Sequence, residues 1–506
     1  MVKSPPMKRM PALLSLDDWV KLLLGITLFF SLAVRIFPPL LAGFPINDGG
    51  MFLVMMRDLR ANGFVLPVFT SYNLSRIPYA YPPLGFYAGG ILSVLGVPDL
   101  EVLRWLPAIV NAASVPAFYL LAQALLKDRP RAAVAAMVYG LVPGNFAWQI
   151  MGGGLTRSFG ILFIILANYS VLKMFQLGAW KYAVLSALFC SLAVLSHPEA
   201  GLATAASCGL FWLFFGRTRP GAIQAAAVAV GTIILTAPWW GTVLAFHGLP
   251  PFLAVLHSGA YIVNPLKELA ANLFTFDPWT GLFRLLVLAG IGWNLYRRQF
   301  FLPLWLALPY VTEPRSAPAF AHFPGSIMAA QVLMDLVPLL VDRIRRRQVS
   351  WKTAPPDLSG RDGYRLALLG LSMLWFLQSG FYGYVLVNTS LRLPEPLQAM
   401  EWASRSSASG SEFLILTGST GIMSDPIQEW FPAIAGRNSV TTLQGMEWTL
   451  GEKFFPRLKR LIALQGCQDI RCVESWSAET GLRYSHLMIE KNKRTGALLQ
   501  SVSSDA

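Results

Sequence analysis

Asp48 is the residue of this chain whose position most favours chemistry. It lies in a short stretch, residues 44–50, directly after the first long apolar run, residues 19–41. A carboxylate where a helix leaves the bilayer loses part of its hydration, so such groups tend to be paired or functional. Pro45 and the glycine pair 49–50 end the helix and let the chain turn back along the membrane surface. Asp48 is therefore the leading candidate catalytic residue, against the alternative of an ordinary solvated interfacial loop.

The composition is that of an integral membrane protein. Apolar residues make up 54% of the 506 residues and charged residues only 13%, whereas a soluble domain usually carries about 25% charged residues. The net charge of +14 would suggest a nucleic-acid partner for a soluble protein. Here the basic residues cluster in short loops between apolar runs, as in cytoplasmic loops. We therefore expect the lipid bilayer as partner and no nucleic acid.

The apolar runs and the charges beside them predict the topology. Eleven runs are expected to span the membrane, near residues 18–41, 101–126, 131–147, 156–177, 181–196, 200–216, 221–246, 280–296, 300–312, 324–342 and 364–387. A further run, 82–97, opens with two prolines. If 82–97 does not span, the basic loops all share the side of the N-terminus, which the positive-inside rule favours. We therefore predict an interfacial or re-entrant helix at 82–97, a long outer loop at 42–100, a cytoplasmic N-terminus and an outer C-terminus.

From about residue 388 the chain has ordinary polarity and no further membrane run. Its apolar patterns predict a helix and two strands, at 396–405, 412–417 and 484–489. We predict a small extracytoplasmic α/β domain, 388–506, after a membrane helical domain, 1–387. Cys467 and Cys472 are expected to form a short-loop disulfide in an oxidising compartment, with two free thiols as the alternative.

The order of features in the first outer loop resembles that of the GT-C superfamily of membrane glycosyltransferases. After the acidic residue come an amphipathic surface helix at 51–61, a second one opened by Tyr81-Pro82-Pro83-Leu84, and residues 104–108 entering the next span. Protein O-mannosyltransferases and aminoarabinose lipid A transferases are the most similar types. The resemblance covers about residues 15–200 and is architectural beyond them. The stretch 425–432, followed by Arg437, also resembles the tail of polytopic relatives, and we assign it no role.

The chain departs from the family pattern at two places. Many members have an acidic pair in the first outer loop, where this chain has Asn47-Asp48, and a second acid in the second outer loop, where residues 152–157 carry none. The second acid would then be Glu199 or Glu313, or be absent.

The resemblance implies a function and a set of site residues. It implies inverting transfer of a sugar from a polyprenyl-phosphate donor to a hydroxyl of a protein, glycan or lipid acceptor, at the outer face of the cell membrane. Asp48 would be the general base, and cationic groups would stabilise the leaving phosphate. The candidate substrate-binding residues are Asn47, Tyr81, Arg157, His197, Glu199, Lys267 and Arg315. A divalent cation, Mg²⁺ or Mn²⁺, is left open, with Asp48 and Glu199 as its candidate ligands.

Several alternatives stay open. Arg157 could snorkel at a helix end, His197-Pro198-Glu199 could be a helix break with a capping acid, and Glu313 and Arg315 could form a weak local ion pair. At the level of function, the alternatives are a transporter or flippase for a lipid-linked or small solute, and a non-catalytic membrane scaffold. Transporters place charges within their spans, whereas here the titratable groups gather at one interface.

Overall fold

The structure is a computed structural model and describes residues 14–258, 264–344 and 361–505. The described chain is mainly α-helical. Its helices up to residue 387 are α1 (Leu16–Ala42), α2 (Gly50–Ala61), α3 (Leu84–Val94), α4 (Asp99–Leu126), α5 (Arg129–Leu141), α6 (Gly154–Leu177), α7 (Trp180–Val194), α8 (Pro198–Phe215), α9 (Arg219–His247), α10 (Pro250–Ser258), α11 (Pro265–Phe274), α12 (Gly281–Tyr296), α13 (Phe301–Thr312), α14 (Ala317–Gln331), α15 (Val337–Ile344) and α16 (Asp362–Val387).

The fold is that of a polytopic membrane protein. Among the described residues, six helical segments are long and apolar enough to cross a bilayer, namely α1, α4, α6, α9, α16 and the continuous segment Ala317–Ile344. In the last of these a π-helical turn, Val332–Leu336, joins α14 to α15. Each of the eleven predicted apolar runs coincides with a helix. The number of spans stays a prediction, because several of these helices are shorter than the roughly 20 residues of a straight span.

The run at 82–97 forms the short helix α3. Its 11 residues extend about 16 Å at 1.5 Å per residue, about half of the hydrocarbon thickness of roughly 30 Å. Its first amide, that of Leu84, donates a hydrogen bond to the carbonyl of Leu195. This length agrees with the interfacial or re-entrant helix that the charge distribution predicts.

One fully buried cation lies within the first span, and sequence analysis missed it. Arg35 of α1 is 0% exposed. Its guanidinium donates to the side-chain oxygen of Asn111 at 2.6 Å and to the carbonyls of Ser31 and Gly140, and it lies over the ring of Phe146. Buried charges need such compensation, and here neutral oxygens supply it.

The C-terminal segment contains the helices α17 (Glu395–Ser406), α18 (Pro426–Ala435), α19 (Glu447–Leu450), α20 (Phe454–Leu464), α21 (Ile470–Thr480) and α22 (Gly496–Asp505). Two short strands of the first outer loop pair antiparallel, β1 (Phe69–Thr70) with β2 (Ile77–Pro78). The other three strands, β3 (Glu412–Leu416), β4 (Asn438–Ser439) and β5 (His486–Ile489), form a parallel sheet in the order β4-β3-β5. Cys467 and Cys472 form the expected disulfide. That this segment is a separate domain stays a prediction.

The C-terminal segment packs directly on the first outer loop. One hydrophobic cluster combines side chains of α2 and α3 with side chains of α18 and β3. Within it, the rings of Phe44 and Trp430 lie 4.7 Å apart, and the Trp430 indole donates to the carbonyl of Asn47 at 2.8 Å. The Tyr72 hydroxyl donates to the carbonyl of Glu429. This packing places α18 against the turn that carries Asp48.

Candidate active site

A cavity of about 580 Å³ lies where one end of the membrane helices meets the C-terminal segment. We call it the Asp48 cavity. Its lining comes from four loops predicted to share the outer face and from the C-terminal segment, and includes Asn47, Asp48, Tyr81, Trp148, Arg157, His197, Glu199, Glu313, Arg315, Ser316, Glu429, Gln444, Glu447 and Trp448. The size is within the usual range for small-molecule sites.

The structure brings together all but one of the residues that the sequence nominated. Asp48 and six of the seven candidate substrate-binding residues line the cavity. Lys267 does not line it and lies exposed on α11. The shared location of these loops agrees with the topology predicted from the positive charges, since loops that open on one cavity must lie on one side of the membrane.

Asp48 is held by a fixed set of donors. Its carboxylate accepts a hydrogen bond from the backbone amide of Gly153 at 2.9 Å. The Arg157 Nη2 atom lies 2.9 and 3.1 Å from the two carboxylate oxygens. The Arg157 guanidinium in turn lies over the Trp148 ring, 4.3 Å from its centroid. Arg157 is thus part of the site and not only a snorkelling helix end.

The glycine triplet 152–154 makes room for this arrangement. A Cβ atom on Gly152 would lie 1.9 Å from the carbonyl oxygen of Asp48, and one on Gly153 would lie 2.6 Å from both Asp48 Oδ2 and Arg157 Nη2. Only glycine permits so close an approach. The triplet therefore lets the second outer loop pack directly against Asp48.

We expect Gly152→Ala to destabilise the protein. The new methyl group would collide with backbone, which cannot rotate away, so we expect a loss of about 1–3 kcal/mol or more and a displaced Asp48. Thermal unfolding of the purified protein measures the loss. Gly25→Ala is the matched control, because beyond its own turn of helix no atom of the described residues lies within 4 Å of its Cβ position. Equal melting temperatures for Gly152→Ala and wild type would contradict this view of the triplet.

Aromatic side chains line part of the Asp48 cavity. The Tyr81 ring stacks on Trp448 at 5.9 Å and meets the edge of His197 at 5.9 Å. It also contacts Phe52 at 4.9 Å. Trp448 comes from the C-terminal segment and was not predicted. Stacked aromatic faces suit the apolar faces of sugar rings as well as other aromatic groups.

A second group of titratable residues lines the same cavity. Ser316 donates a hydrogen bond to Glu199. Burial lowers the pKa of His197 to about 4, although the nearby Glu199 carboxylate opposes this. Burial raises the pKa of Glu313 to about 10, and the charge of Glu199 adds to the effect. His197 and Glu313 are therefore both neutral at pH 7, and neither Glu313 oxygen has a hydrogen-bond partner among the described residues.

Arg315 is the solvent-exposed cation of this cavity. It is exposed, and among the described residues it forms no ion pair within 4 Å, so it does not pair with Glu313. Arg157, by contrast, is engaged by Asp48. The site therefore offers one cation that positions the carboxylate and one that is open to an anionic ligand.

Glu429 is the functional candidate that sequence reasoning missed. It lies on α18, and its side chain accepts a hydrogen bond from the amide of Gly49 at 2.8 Å. Burial raises the pKa of Glu429, and the negative charge of Asp48 raises it further. The signal was a carboxylate within the stretch 425–432 that resembles the tail of polytopic relatives, but only the tertiary packing places it beside Asp48.

We expect stability to depend on pH through Glu429. A carboxyl whose pKa is raised by folding stabilises the native state while it is protonated, and this contribution is lost as pH rises from the ordinary value of 4.5 through the raised pKa. Glu429→Gln keeps the acceptor oxygen but cannot ionise. Its melting temperature relative to wild type should therefore rise between pH 5 and pH 9.

The control for this titration is Glu401→Gln, which removes an exposed carboxylate paired with Arg405 on α17. Its melting temperature relative to wild type should change little over the same range. A constant difference between Glu429→Gln and wild type at all pH values would contradict the raised pKa.

The described residues do not form a metal site of the expected kind. No group of three His, Cys, Asp or Glu side chains with suitable spacing occurs among residues 14–258, 264–344 and 361–505. The Asp48 carboxylate already accepts hydrogen bonds from Gly153 and Arg157, and Glu199 accepts one from Ser316. The donor set does not fit a divalent cation held by Asp48 and Glu199, so we derive no step through one.

The fold is similar to that of membrane glycosyltransferases of the GT-C superfamily, in agreement with the resemblance seen in the first outer loop. Residues 80–241 match the family model of dolichyl-phosphate-mannose-protein mannosyltransferases. No curated protein sequence matches the chain.

Solved structures show the same fold at low sequence identity. ArnT from Cupriavidus metallidurans bound to undecaprenyl phosphate aligns with a TM-score of 0.52 and 15% identity, over 88% of this chain and 89% of that one. Its apo state gives 0.51 and 15%, over 83% and 85%. The Archaeoglobus fulgidus oligosaccharyltransferase in complex with Zn and sulfate gives 0.50 and 16%. The alignment with the oligosaccharyltransferase covers 82% of this chain but only 62% of that longer one.

Proposed function

We propose that this protein is a membrane glycosyltransferase that moves a sugar from a polyprenyl-phosphate donor to an acceptor hydroxyl at the outer face of the cell membrane. The observation that carries the proposal is the Asp48–Arg157 pair, fixed in a cavity at the membrane boundary beside the open cation Arg315. The similar structure of ArnT contains undecaprenyl phosphate, a lipid of the class that the donor would carry.

The reaction would be a single displacement at the anomeric carbon. Asp48 would accept the proton of the acceptor hydroxyl as its oxygen bonds to that carbon, and a positioned base contributes about 10²- to 10⁴-fold. The bond from the anomeric carbon to the phosphate oxygen breaks, and the polyprenyl phosphate leaves with the electron pair. Attack opposite the leaving group inverts the configuration.

The other groups of the cavity would serve binding and charge stabilisation. Arg315 would hold the leaving phosphate, since a guanidinium can donate two hydrogen bonds to phosphate oxygens. Tyr81 and Trp448 would pack on a sugar ring, while neutral His197 and Glu313 would hydrogen-bond its hydroxyls. Because the two neutral groups carry no charge at pH 7, they would not repel the donor phosphate.

The test is sugar transfer in membranes that contain the full chain, supplied with a panel of radiolabelled polyprenyl-phosphate sugars and several acceptor extracts. Transfer from at least one donor, above membranes without the protein, is the expected result. The anomeric configuration of the product, measured by NMR, tests inversion. Failure of folded protein to use any donor would contradict the proposal and favour a transporter or a scaffold.

A further inference from the structure

A second polar cavity, of about 360 Å³, lies between the first outer loop and the C-terminal segment. We call it the Arg457 cavity. Its lining includes Asn73, Ser75, Glu412, Asn438, Arg457 and Arg483. None of these residues belongs to the Asp48 cavity, and nothing in the proposed reaction uses them.

Two guanidinium groups with unused donors line this cavity. Arg457 Nη2 donates to the carbonyl of Val440 at 3.2 Å, whereas its buried Nε has no hydrogen-bond partner among the described residues. Arg483 is exposed and forms no ion pair with the part of the chain that the structure describes. The Nε atom is closed off from solvent, whereas Nη1 of Arg457 is accessible and forms no hydrogen bond with the described residues. Nη1 is therefore the donor that is open to an oxygen-bearing ligand.

The acidic group in the lining does not neutralise these arginines. The Oε1 atom of Glu412 accepts a hydrogen bond from the side-chain amide of Asn438 at 3.1 Å, and no ion pair joins Glu412 to either arginine within the described residues. Burial lowers the pKa of Arg457, and the positive charge of Arg460 adds to this. A bound anion would offset both effects.

The lining of the Arg457 cavity suits a small ligand that carries both an anionic group and hydroxyls. Guanidinium groups bind phosphate and carboxylate oxygens with matched geometry. The volume is at the lower end of the range for ligand sites, which fits one sugar-sized unit. The remaining polar atoms, among them the Ser75 hydroxyl and the Asn438 amide oxygen, are neutral and suit hydroxyls.

The Arg457 cavity shares a wall with the Asp48 cavity. Met446 lines the former, whereas Gln444, Glu447 and Trp448 line the latter. The shared segment packs closely on α2, because the Cβ position of Gly445 lies 2.7 Å from the sulfur of Met51. A group held in the Arg457 cavity is therefore next to the reaction site, on the side formed by loop and C-terminal residues and not by membrane helices.

We propose that the Arg457 cavity binds an oxyanion, phosphate or carboxylate, carried by the acceptor, with Arg457 and Arg483 as its ligands. The acceptor assignment rests on the proposed function, whereas oxyanion binding does not. A lipid-borne donor reaches the site from the membrane helices, which contribute no residue to this lining. The acceptor is therefore the substrate that this cavity would hold.

The first test is binding of inorganic phosphate and of glucuronate to the full chain in phosphatidylcholine nanodiscs, by calorimetry. We expect wild type to bind at least one of the two anions. Arg457→Gln should raise the Kd roughly tenfold or more, the loss of a charge-assisted hydrogen bond. Arg460→Gln, on the same helix but outside the lining, should stay within about twofold. Absence of binding to wild type, or equal loss in both variants, would overturn the proposal.

The second test separates this inference from the proposed function. In the transfer assay, Arg457→Gln should raise the acceptor KM and leave the donor KM and kcat unchanged, because the residue does not touch the reacting groups. An unchanged acceptor KM together with lost anion binding would overturn the acceptor assignment. If no sugar is transferred at all, the proposed function fails, and the binding measurement still decides whether the cavity holds an oxyanion.

Discussion

Asp48→Asn should reduce kcat for sugar transfer by about 10²- to 10⁴-fold. The amide has the shape of the carboxylate but cannot accept the proton of the acceptor hydroxyl. The donor KM should change little, since the open cation Arg315 is untouched. Single-turnover transfer from the donor identified in the panel measures the effect, with melting temperatures to verify that the variant is folded.

Two further variants sharpen this result. Asp17→Asn makes the same chemical change near the other end of α1, where the side chain is 56% exposed, and should leave kcat unchanged. Asp48→Glu keeps a carboxylate but displaces it by one methylene, so an intermediate rate is expected. A folded Asp48→Asn variant with wild-type kcat would exclude Asp48 as the base, and Glu199 would be the next residue to substitute.

Arg157→Gln should lower kcat by about 10²- to 10³-fold, the usual loss for a group that orients or stabilises charge at a reaction centre. Without the guanidinium, the Gly153 amide is the one donor to Asp48 that remains among the described residues, so the carboxylate is no longer fixed in one orientation. Arg157→Lys keeps the charge but loses the planar contact with Trp148, and should recover part of the rate. Steady-state kinetics at saturating donor measure both variants.

Arg104 provides the matched control for Arg157. It also pairs with a carboxylate, Glu101, and lies over an indole ring, that of Trp105, 4.7 Å away, yet it does not line the Asp48 cavity. Arg104→Gln should lower the melting temperature without a comparable loss of kcat. Equal losses of kcat in both variants would mean that the effect at Arg157 is one of general stability.

Most residues of the candidate site could be predicted from the sequence, because the relevant signals extend over a few neighbouring positions. The charges beside each apolar run indicate which loops lie on the same face of the membrane. A carboxylate where a helix leaves the bilayer is a candidate functional group because placing it there costs hydration energy. From these signals we predicted one outer face for Asp48, Arg157, His197, Glu199 and Arg315. The structure shows all five in one cavity. The signals do not indicate distance, so the direct pairing of Asp48 with Arg157 was not predicted.

Contacts between distant segments could not be predicted in this way. Glu429 is 381 positions after Asp48 and reaches it only because the apolar face of α18 packs on α2. Lys267 lies outside the lining of the Asp48 cavity for a related reason, since a position in an outer loop does not direct a side chain toward the cavity. Arg35 was overlooked because its partners are carbonyl and amide oxygens from other helices, which carry no charge pattern.

The sequence by itself indicated a multi-helix membrane protein that resembles the GT-C superfamily, with Asp48 at the start of its first outer loop. It did so because hydropathy, positive charge and helix-ending residues act over a few neighbouring positions. The tertiary structure decided which groups surround Asp48: the glycines that admit it, the arginine that orients it and the C-terminal acid beside it. Those contacts depend on how helices and loops pack across hundreds of residues, where burial sets both distance and pKa.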